Sequence, residues 1–390
     1  MTKYKGKILF IGCLAGFDGG IERYEHTVAS LLRRNGYTVC CAYQEKGREF
    51  EHFSAGFHRM LLVHEALEEE EEYALVAVHK LVDLRLLKLL LKKFGDRLVL
   101  FVHDHDPYCP RRHYYIPFGR RNCQRAYHPL VCTGCSMLTH PKAWSHGFWG
   151  QLNHVLFSFA RRLQLYRSFH KVVVLSDFMR QNLLRNGFAE SRIQLVSPFV
   201  ESAPAMRTNK VASPPRLLFV GQLIRGKGVD LLLQALSKVT ADFRVFIAGG
   251  GKDRCWLEKL AAELKIEQKV EFLGWTLNPE KLYSTCDLLV LPFRWQEPFG
   301  LVGLEAAAKG LPIVAFDLGG CREYVFPGEN GILIPPGNVN AMAETIQNLL
   351  ENPEKLLPMG EKGRQKAMTK FTPEKFLQDF IGLIADSEQS

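Results

Sequence analysis

Short apolar runs alternate with stretches in which apolar residues recur every three or four positions, and the alternation continues along most of the chain. Residues 7–12 form the first run. They lead through Gly19-Gly20 into a helical pattern carried by Tyr24, Val28, Leu31 and Leu32, which Asn35-Gly36 closes before the next run at 37–42. The same reading predicts strands at 58–64, 75–79, 98–103 and 171–175. It predicts helices at 82–94 and 176–186, the latter with Ser176 as cap and Gly187 as stop. A polar, proline-bearing stretch at 197–215 has no apolar period and reads as a linker. Beyond it, strands are expected at 217–220, 244–248, 270–275, 288–292 and 312–317. Helices are expected at 231–237, 255–264 and 278–286 between them, and a last one at 373–385. Strand and helix in alternation predict parallel sheets, so the fold class is α/β with doubly wound domains at 1–198 and 216–372. A chain of 390 residues is long enough to bury two such cores.

Charge changes the picture in the first half only. Net charge is +9, and residues 1–200 hold 28 Lys/Arg against 18 Asp/Glu, whereas 201–390 hold 22 against 23. Within the first half, 107–171 contains ten basic residues and no acidic one, which points to an anionic partner such as a phospholipid surface or a lipid-linked phosphate. In that stretch, Phe148, Leu152, Val155, Leu156, Phe159, Leu163 and Tyr166 recur at helical spacing, as a helix packed on the domain core or one meeting a membrane. The five acids Glu68 to Glu72 read as a solvated run. No run of about twenty apolar residues occurs, and the basic start leads into a run of only four apolar residues before Gly12, too few for a secretion signal. The expectation is a cytoplasmic protein, whose ten cysteines are thiols or metal ligands rather than a disulfide framework. Cys109, Cys123, Cys132 and Cys135 fall within one insertion-like stretch. They are candidates for a structural zinc or iron–sulfur cluster, with unbound thiols as the alternative.

Candidate chemistry concentrates where the run 288–292 meets Glu297-Pro298-Phe299-Gly300-Leu301-Val302-Gly303-Leu304-Glu305. With Pro298 just inside a helix start, the amides of Phe299, Gly300, Leu301 and Val302 suit a diphosphate, helped by the helix dipole. Glu297 and Glu305, two turns apart, suit neutral hydroxyls flanking the phosphates rather than the phosphates themselves. Lys227, in the glycine-flanked turn 225–228, is a phosphate-neutralising candidate or a plain loop lysine. Gly19-Gly20 permits close approach of backbone to a ligand. His103 ends a strand, where α/β folds border their ligand crevice, though a structural histidine fits the same place. No Gly-x-Gly-x-x-Gly occurs, against a dinucleotide dehydrogenase.

Glu-Pro-Phe-Gly-Leu with a second glutamate eight positions after the first resembles the donor-site signature of the retaining glycosyltransferases of family four. The order of motifs at 19–20, 103, 221–228, 274–275, 312–320 and 328–334 is similar to that family everywhere except 105–169. The resemblance implies the GT-B architecture, two Rossmann-like domains across a cleft, with the helix from 373 crossing back to the first. It implies transfer of a hexose, with retention, from a nucleotide-diphosphate sugar to a glycan or lipid-linked acceptor. In that reading Glu297 holds sugar hydroxyls, Glu305 the ribose, Lys227 and the helix-start amides the diphosphate, and His103 the reacting sugar. Gly274 and Trp275 border the base, or Trp275 is simple packing. Gln222 stands where the family has an arginine; either Arg225 is the substitute cation or the site works with one positive side chain. No metal or other cofactor is required for the chemistry, and no specific nucleic acid is expected. A nucleotide-sugar epimerase of the same fold, or a catalytically silent nucleotide-sugar binder, are the rival readings.

Overall fold

The computed structural model describes residues 6–116, 121–139, 147–201 and 210–388. The chain start, the middle of the expected linker, parts of the basic insertion and the side chain of Phe148 lie outside them. Two compact units divide the chain: Met1–Pro198 with Pro373–Ser390, and Phe199–Thr372.

The first unit is built on seven parallel strands. They are β1 (Lys7–Ala15), β2 (Thr38–Lys46), β3 (Arg59–Leu62), β4 (Leu75–Val78), β5 (Leu98–Val102), β8 (Lys171–Val174) and β9 (Ile193–Leu195), in the order β3-β2-β1-β4-β5-β8-β9. A small antiparallel pair, β6 (Tyr115–Ile116) and β7 (Arg121–Asn122), lies in the insertion. The apolar runs are buried on both faces because helices cover both, which is why they read as continuous rather than alternating. The second unit has six parallel strands, β10 (Arg216–Val220), β11 (Arg244–Ala248), β12 (Val270–Gly274), β13 (Leu288–Leu291), β14 (Ile313–Phe316) and β15 (Gly331–Ile334), ordered β12-β11-β10-β13-β14-β15. The strand order of each sheet therefore reverses once, between β1 and β4 and between β10 and β13, the place where such sheets bind their ligands at the carboxyl ends of the strands.

Capping matches the sequence signals. Asp83 accepts from the amides of Arg85 (2.7 Å) and Leu86 (3.0 Å) to open the helix Leu84–Phe94. Ser176 accepts from Met179 at 3.2 Å to open Asp177–Arg185. Three expectations are corrected. The run at 58–64 leaves the sheet at Leu62 and becomes a short helix, Val63–Glu68, because the Glu65 carboxylate takes the Leu62 amide at 2.6 Å. The acidic run is not simply solvated, since Lys7 binds Glu71 at 2.6 Å and Arg59 binds Glu69. The helical pattern at 148–169 is broken into Gly147–Asn153, a π-helical turn His154–Ser158 and Phe159–Arg167. Its Val155, Phe159, Leu163 and Tyr166 are buried, the core-packed alternative for those four positions.

Candidate active site

In the second unit the loops after β10 and β13, on either side of the reversal, are locked together by backbone. The amides of Arg294 and Trp295 both donate to the Gly226 carbonyl, at 2.9 and 3.1 Å. A Cβ on Gly226 would lie 1.9 Å from the Trp295 ring, and one on Gly228 (φ +70°) 1.8 Å from the Pro292 carbonyl oxygen. Only glycine lets these loops approach so closely. The result is that Lys227 Nζ reaches Glu297 Oε1 at 2.5 Å, both side chains about one-fifth exposed. The backbone of Glu297 is fixed from its other side, its carbonyl accepting from the Gly320 amide at 2.8 Å.

The helix does not begin at Pro298. It runs Leu301–Ala308, with Gly300 (φ +92°) as its cap, so Pro298 and Phe299 belong to the loop. The physical reason is the turn at Gly300. A left-handed residue there ends the extended loop and starts the helix, and Phe299 is pulled into the core against Tyr324, 5.6 Å between ring centres. Gly303 donates to Gly300 at 2.9 Å. The first helical amides, those of Leu301 and Val302, lack intrahelical partners, so the amides suited to an anion are centred there rather than on Phe299.

Glu305 receives a hydrogen bond from Tyr283 Oη at 2.8 Å, and Tyr283 is itself buried. The sequence reading missed Tyr283; its only signal was an aromatic in the helix preceding β13. Arg225 lies 4.1 Å over the Trp256 ring and 3.4 Å from Asp230. Arg294 already holds Asp230 at 2.7 and 3.1 Å, leaving Arg225 more than half exposed. Gln222 and Trp275 are also exposed, and Gly274 turns the chain before Trp275 with φ +80°.

In the first unit Gly19 caps and Gly20 begins the helix Gly20–Arg34, and a Cβ on Gly20 would meet nothing within 4 Å. His103 follows β5. Its Nε2 lies 2.9 Å from Nδ1 of His79, the residue after β4, and the two rings stack 5.1 Å apart at 18°. Glu25 Oε1 is 4.0 Å from the same His79 nitrogen, and the Tyr24 ring meets His103 edge-on at 4.9 Å. Burial drives His79 well below the ordinary histidine range, with His103 adding to it, and takes His103 down to about 4. Burial likewise raises the Glu25 carboxyl well above its ordinary value, helped by Glu22. Burial thus moves all three groups toward their uncharged forms. Of a neutral histidine pair, one Nδ1/Nε2 nitrogen donates and the other accepts, so His79 sets which ring nitrogen of His103 carries its proton. His79 and Glu25 were not singled out from sequence; the histidine directly after β4 was the available signal. Beside them, Lys80 binds Asp104 at 2.8 Å and Asp106 at 3.5 Å, and Arg112 binds Asp106 at 3.3 Å.

Cys109 and Cys123 pack against the core of the first sheet. Burial pushes the Cys109 thiol up to about 11, and Cys123 and Cys132 nearby push the same way. Cys132 accepts from the His128 amide at 3.4 Å, and Arg111 donates to Cys135 at 3.8 Å. Among the described residues no three His, Cys, Asp or Glu side chains are grouped to hold a metal ion.

Comparison with known proteins decides the family. The profile described as Glycosyltransferase Family 4 matches residues 18–203, and that described as Glycosyl transferases group 1 matches 205–366. The chain belongs to glycosyltransferase family 4. This family 4 glycosyltransferase is 31% identical over 172 residues to the N-acetyl-alpha-D-glucosaminyl L-malate synthase of Bacillus anthracis, covering 44% of this chain and 45% of that protein. It is 23% identical over 235 residues to the lipopolysaccharide core biosynthesis glycosyltransferase LpsE of Rhizobium meliloti, 59% of this chain and 68% of that one. Three of the curated relatives are matched over only 36–48% of their own length. The structure of Anabaena HepE in complex with UDP and glucose superposes with a TM-score of 0.74 at 18% identity, over 98% of this chain and all of that one. A glycosyltransferase from Rickettsia africae gives the same TM-score over all of both chains. The fold is that of GT-B glycosyltransferases.

Proposed function

We propose that this protein transfers a hexose, with retention of configuration, from a nucleotide-diphosphate sugar to an anionic glycan or lipid-linked acceptor in cell-surface polysaccharide or glycolipid synthesis. The observation that carries the reading is the Lys227–Glu297 pair beside the helix start at Leu301, with Glu305 one turn further along. A cation, free amides and two carboxylates in one place suit a ligand with both phosphates and hydroxyls. In this reading the leaving diphosphate takes Lys227 away from Glu297 and lies against the Leu301 and Val302 amides. Glu297 is thereby released to accept from sugar hydroxyls, while Glu305, oriented by Tyr283, accepts from the ribose. Arg225, exposed and with Asp230 already neutralised, supplies the second cation. Trp275 after Gly274 offers a surface for the base. His103 holds the sugar through the nitrogen that His79 leaves free. The charge on the departing group is stabilised by these residues, so no cofactor is assigned to the chemistry.

HepE was solved with UDP, which favours a UDP-sugar donor. Thermal stabilisation across UDP-, GDP- and other nucleotide sugars tests this, because a ligand bound only by the folded state raises its stability. A stabilising sugar should then be transferred with its anomeric configuration kept, read by NMR of the product. Conversion of the donor without an acceptor would identify an epimerase, and binding without turnover a silent partner. Glu305→Gln is expected to weaken donor binding more than turnover.

Ten basic residues against no acidic ones at 107–171 support an acceptor met at an anionic surface, the inner face of the plasma membrane. Among the described residues no helix is long and apolar enough to cross a membrane. A zinc ion or iron–sulfur cluster on Cys109, Cys123, Cys132 and Cys135 requires these thiols to draw together beyond their present arrangement. Elemental analysis of anaerobically purified protein decides it, and absence of stoichiometric zinc and iron would end the idea.

A further inference from the structure

The sequence placed the candidate membrane contact on the pattern at 148–169, but most of that apolar face is core. A different face is left over. The helix Pro129–Thr139 contains no charged residue, and its polarity is inverted: Thr133 and Ser136 are buried, whereas Leu130 and Leu138 are 73% and 74% exposed and Val131 is exposed beside them. Thr133 is satisfied inside by donating to the Pro129 carbonyl at 2.6 Å. The π-helical turn His154–Ser158 packs against this helix and against Gly147–Asn153, and these neighbours add Phe157 at 58% and Trp149 at 76% exposed. Five large apolar side chains thus face water on adjoining elements, where a soluble surface ordinarily scatters them singly.

We propose that this face is a docking surface for an anionic lipid bilayer. The occupant follows from charge and composition. Arg121, Arg125 and Arg161 are exposed on the same insertion, and 107–171 holds no acidic residue to oppose a negative headgroup or to pair with a basic protein partner. Exposed leucine, tryptophan and phenylalanine together with exposed arginine is the combination that settles at the headgroup boundary without spanning it. The inference deepens the proposed function, since it names how the enzyme reaches a lipid-linked acceptor, but its evidence lies in the insertion alone.

The test is sedimentation of the full chain with vesicles of phosphatidylcholine, with and without phosphatidylglycerol, at low and high salt. Wild-type protein should sediment with the anionic vesicles at low salt and be released by salt. Leu130→Ser/Leu138→Ser/Trp149→Ser should remain in the supernatant, while its melting temperature and its stabilisation by UDP stay at wild-type values. Arg121→Gln/Arg125→Gln should weaken partitioning about fivefold per arginine, the factor that about 1 kcal/mol gives. Equal partitioning onto neutral and anionic vesicles, or wild-type sedimentation of the triple variant, overturns the proposal. So does a wild-type dimer in vesicle-free solution that the triple variant abolishes, because a second copy then covers the face. Failure of any nucleotide sugar to stabilise the wild type would instead count against the donor-site reading and leave the sedimentation result standing.

Discussion

Two clusters of candidate site residues sit at equivalent places in two similar sheets, yet they are built from opposite electrostatics. At the β10/β13 reversal, Lys227 and Glu297 are held as an ion pair at 2.5 Å with about a fifth of each side chain in contact with water. At the β1/β4 reversal, His79 and Glu25 are buried and His103 is half-buried, burial pushes all three toward their uncharged forms, and Tyr24 Oη, Glu25 Oε2 and His79 Nε2 have no hydrogen-bond partner. Depth makes the difference. Around a partly hydrated ion pair, water and the partner together offset desolvation, whereas deeper burial disfavours the charged form. The first arrangement suits a ligand that exchanges one ionic partner for another; the second suits a fixed neutral hydrogen bond. Glycine serves the charged cluster in particular, at 226, 228 and 300, by letting loops from different strands touch.

The largest test of this contrast is Glu297→Gln. It removes a charged acceptor, at about 1.5–3 kcal/mol per hydrogen bond, and should reduce turnover ten- to hundredfold with the nucleotide affinity little changed. Turnover at the wild-type rate would remove Glu297 from the reaction. Gly300→Ala should be next. A side chain at φ +92° costs about 1–2 kcal/mol, and the new Cβ would lie 2.6 Å from Tyr324 Oη, so both the melting temperature and nucleotide binding should fall. An unchanged melting temperature would show that the loop relaxes freely.

The neutral cluster is probed by pH. Glu25 holds its proton to higher pH when folded than the ordinary 4.5 of the unfolded chain, so above that value the unfolded state binds fewer protons and stability declines as pH rises. His79 and His103 act in the other sense. Their folded values lie below the ordinary 6.5, so stability declines as pH falls from 6.5 toward the value of about 4 for His103. Tyr24, Glu22, Lys80 and Asp104 surround these groups but are unchanged by Glu25→Gln. That variant should therefore gain on the wild type by up to about 1.4 kcal/mol per pH unit above 4.5, measured by urea unfolding at several pH values. A constant difference across pH would mean that Glu25 is ionised in the fold. The smallest effect is expected from Tyr283→Phe, which deletes one hydrogen bond to Glu305 and should weaken donor binding by about 0.5–1.5 kcal/mol. If it weakens binding as much as Glu305→Gln does, Tyr283 itself touches the ligand.

Several site residues were readable because their signal is local. Gly19-Gly20 before a helix, Lys227 between glycines, and two glutamates framing a strand-to-helix junction each lie within a few residues of the element that positions them. His79, Glu25 and Tyr283 were not readable, since each matters only through a side chain 22 to 54 residues away in the sequence. The placing of Pro298 inside the helix failed for a similar reason. Proline at a first turn is locally favourable, but Tyr324 and Phe371 draw Phe299 into the core and move the helix start to Leu301.

The alternation of strand and helix, the parallel class of both sheets, the basic bias of 107–171 and the family are legible from the chain alone, because period, capping and motif order are written in neighbouring residues. Which polar groups burial pushes toward neutrality, which cation holds which carboxylate, and which apolar face of the insertion is left in water emerge only on folding. Those outcomes depend on burial. Burial is set by strand order and by loops that meet across a sheet, and neither is encoded in any single stretch of the chain.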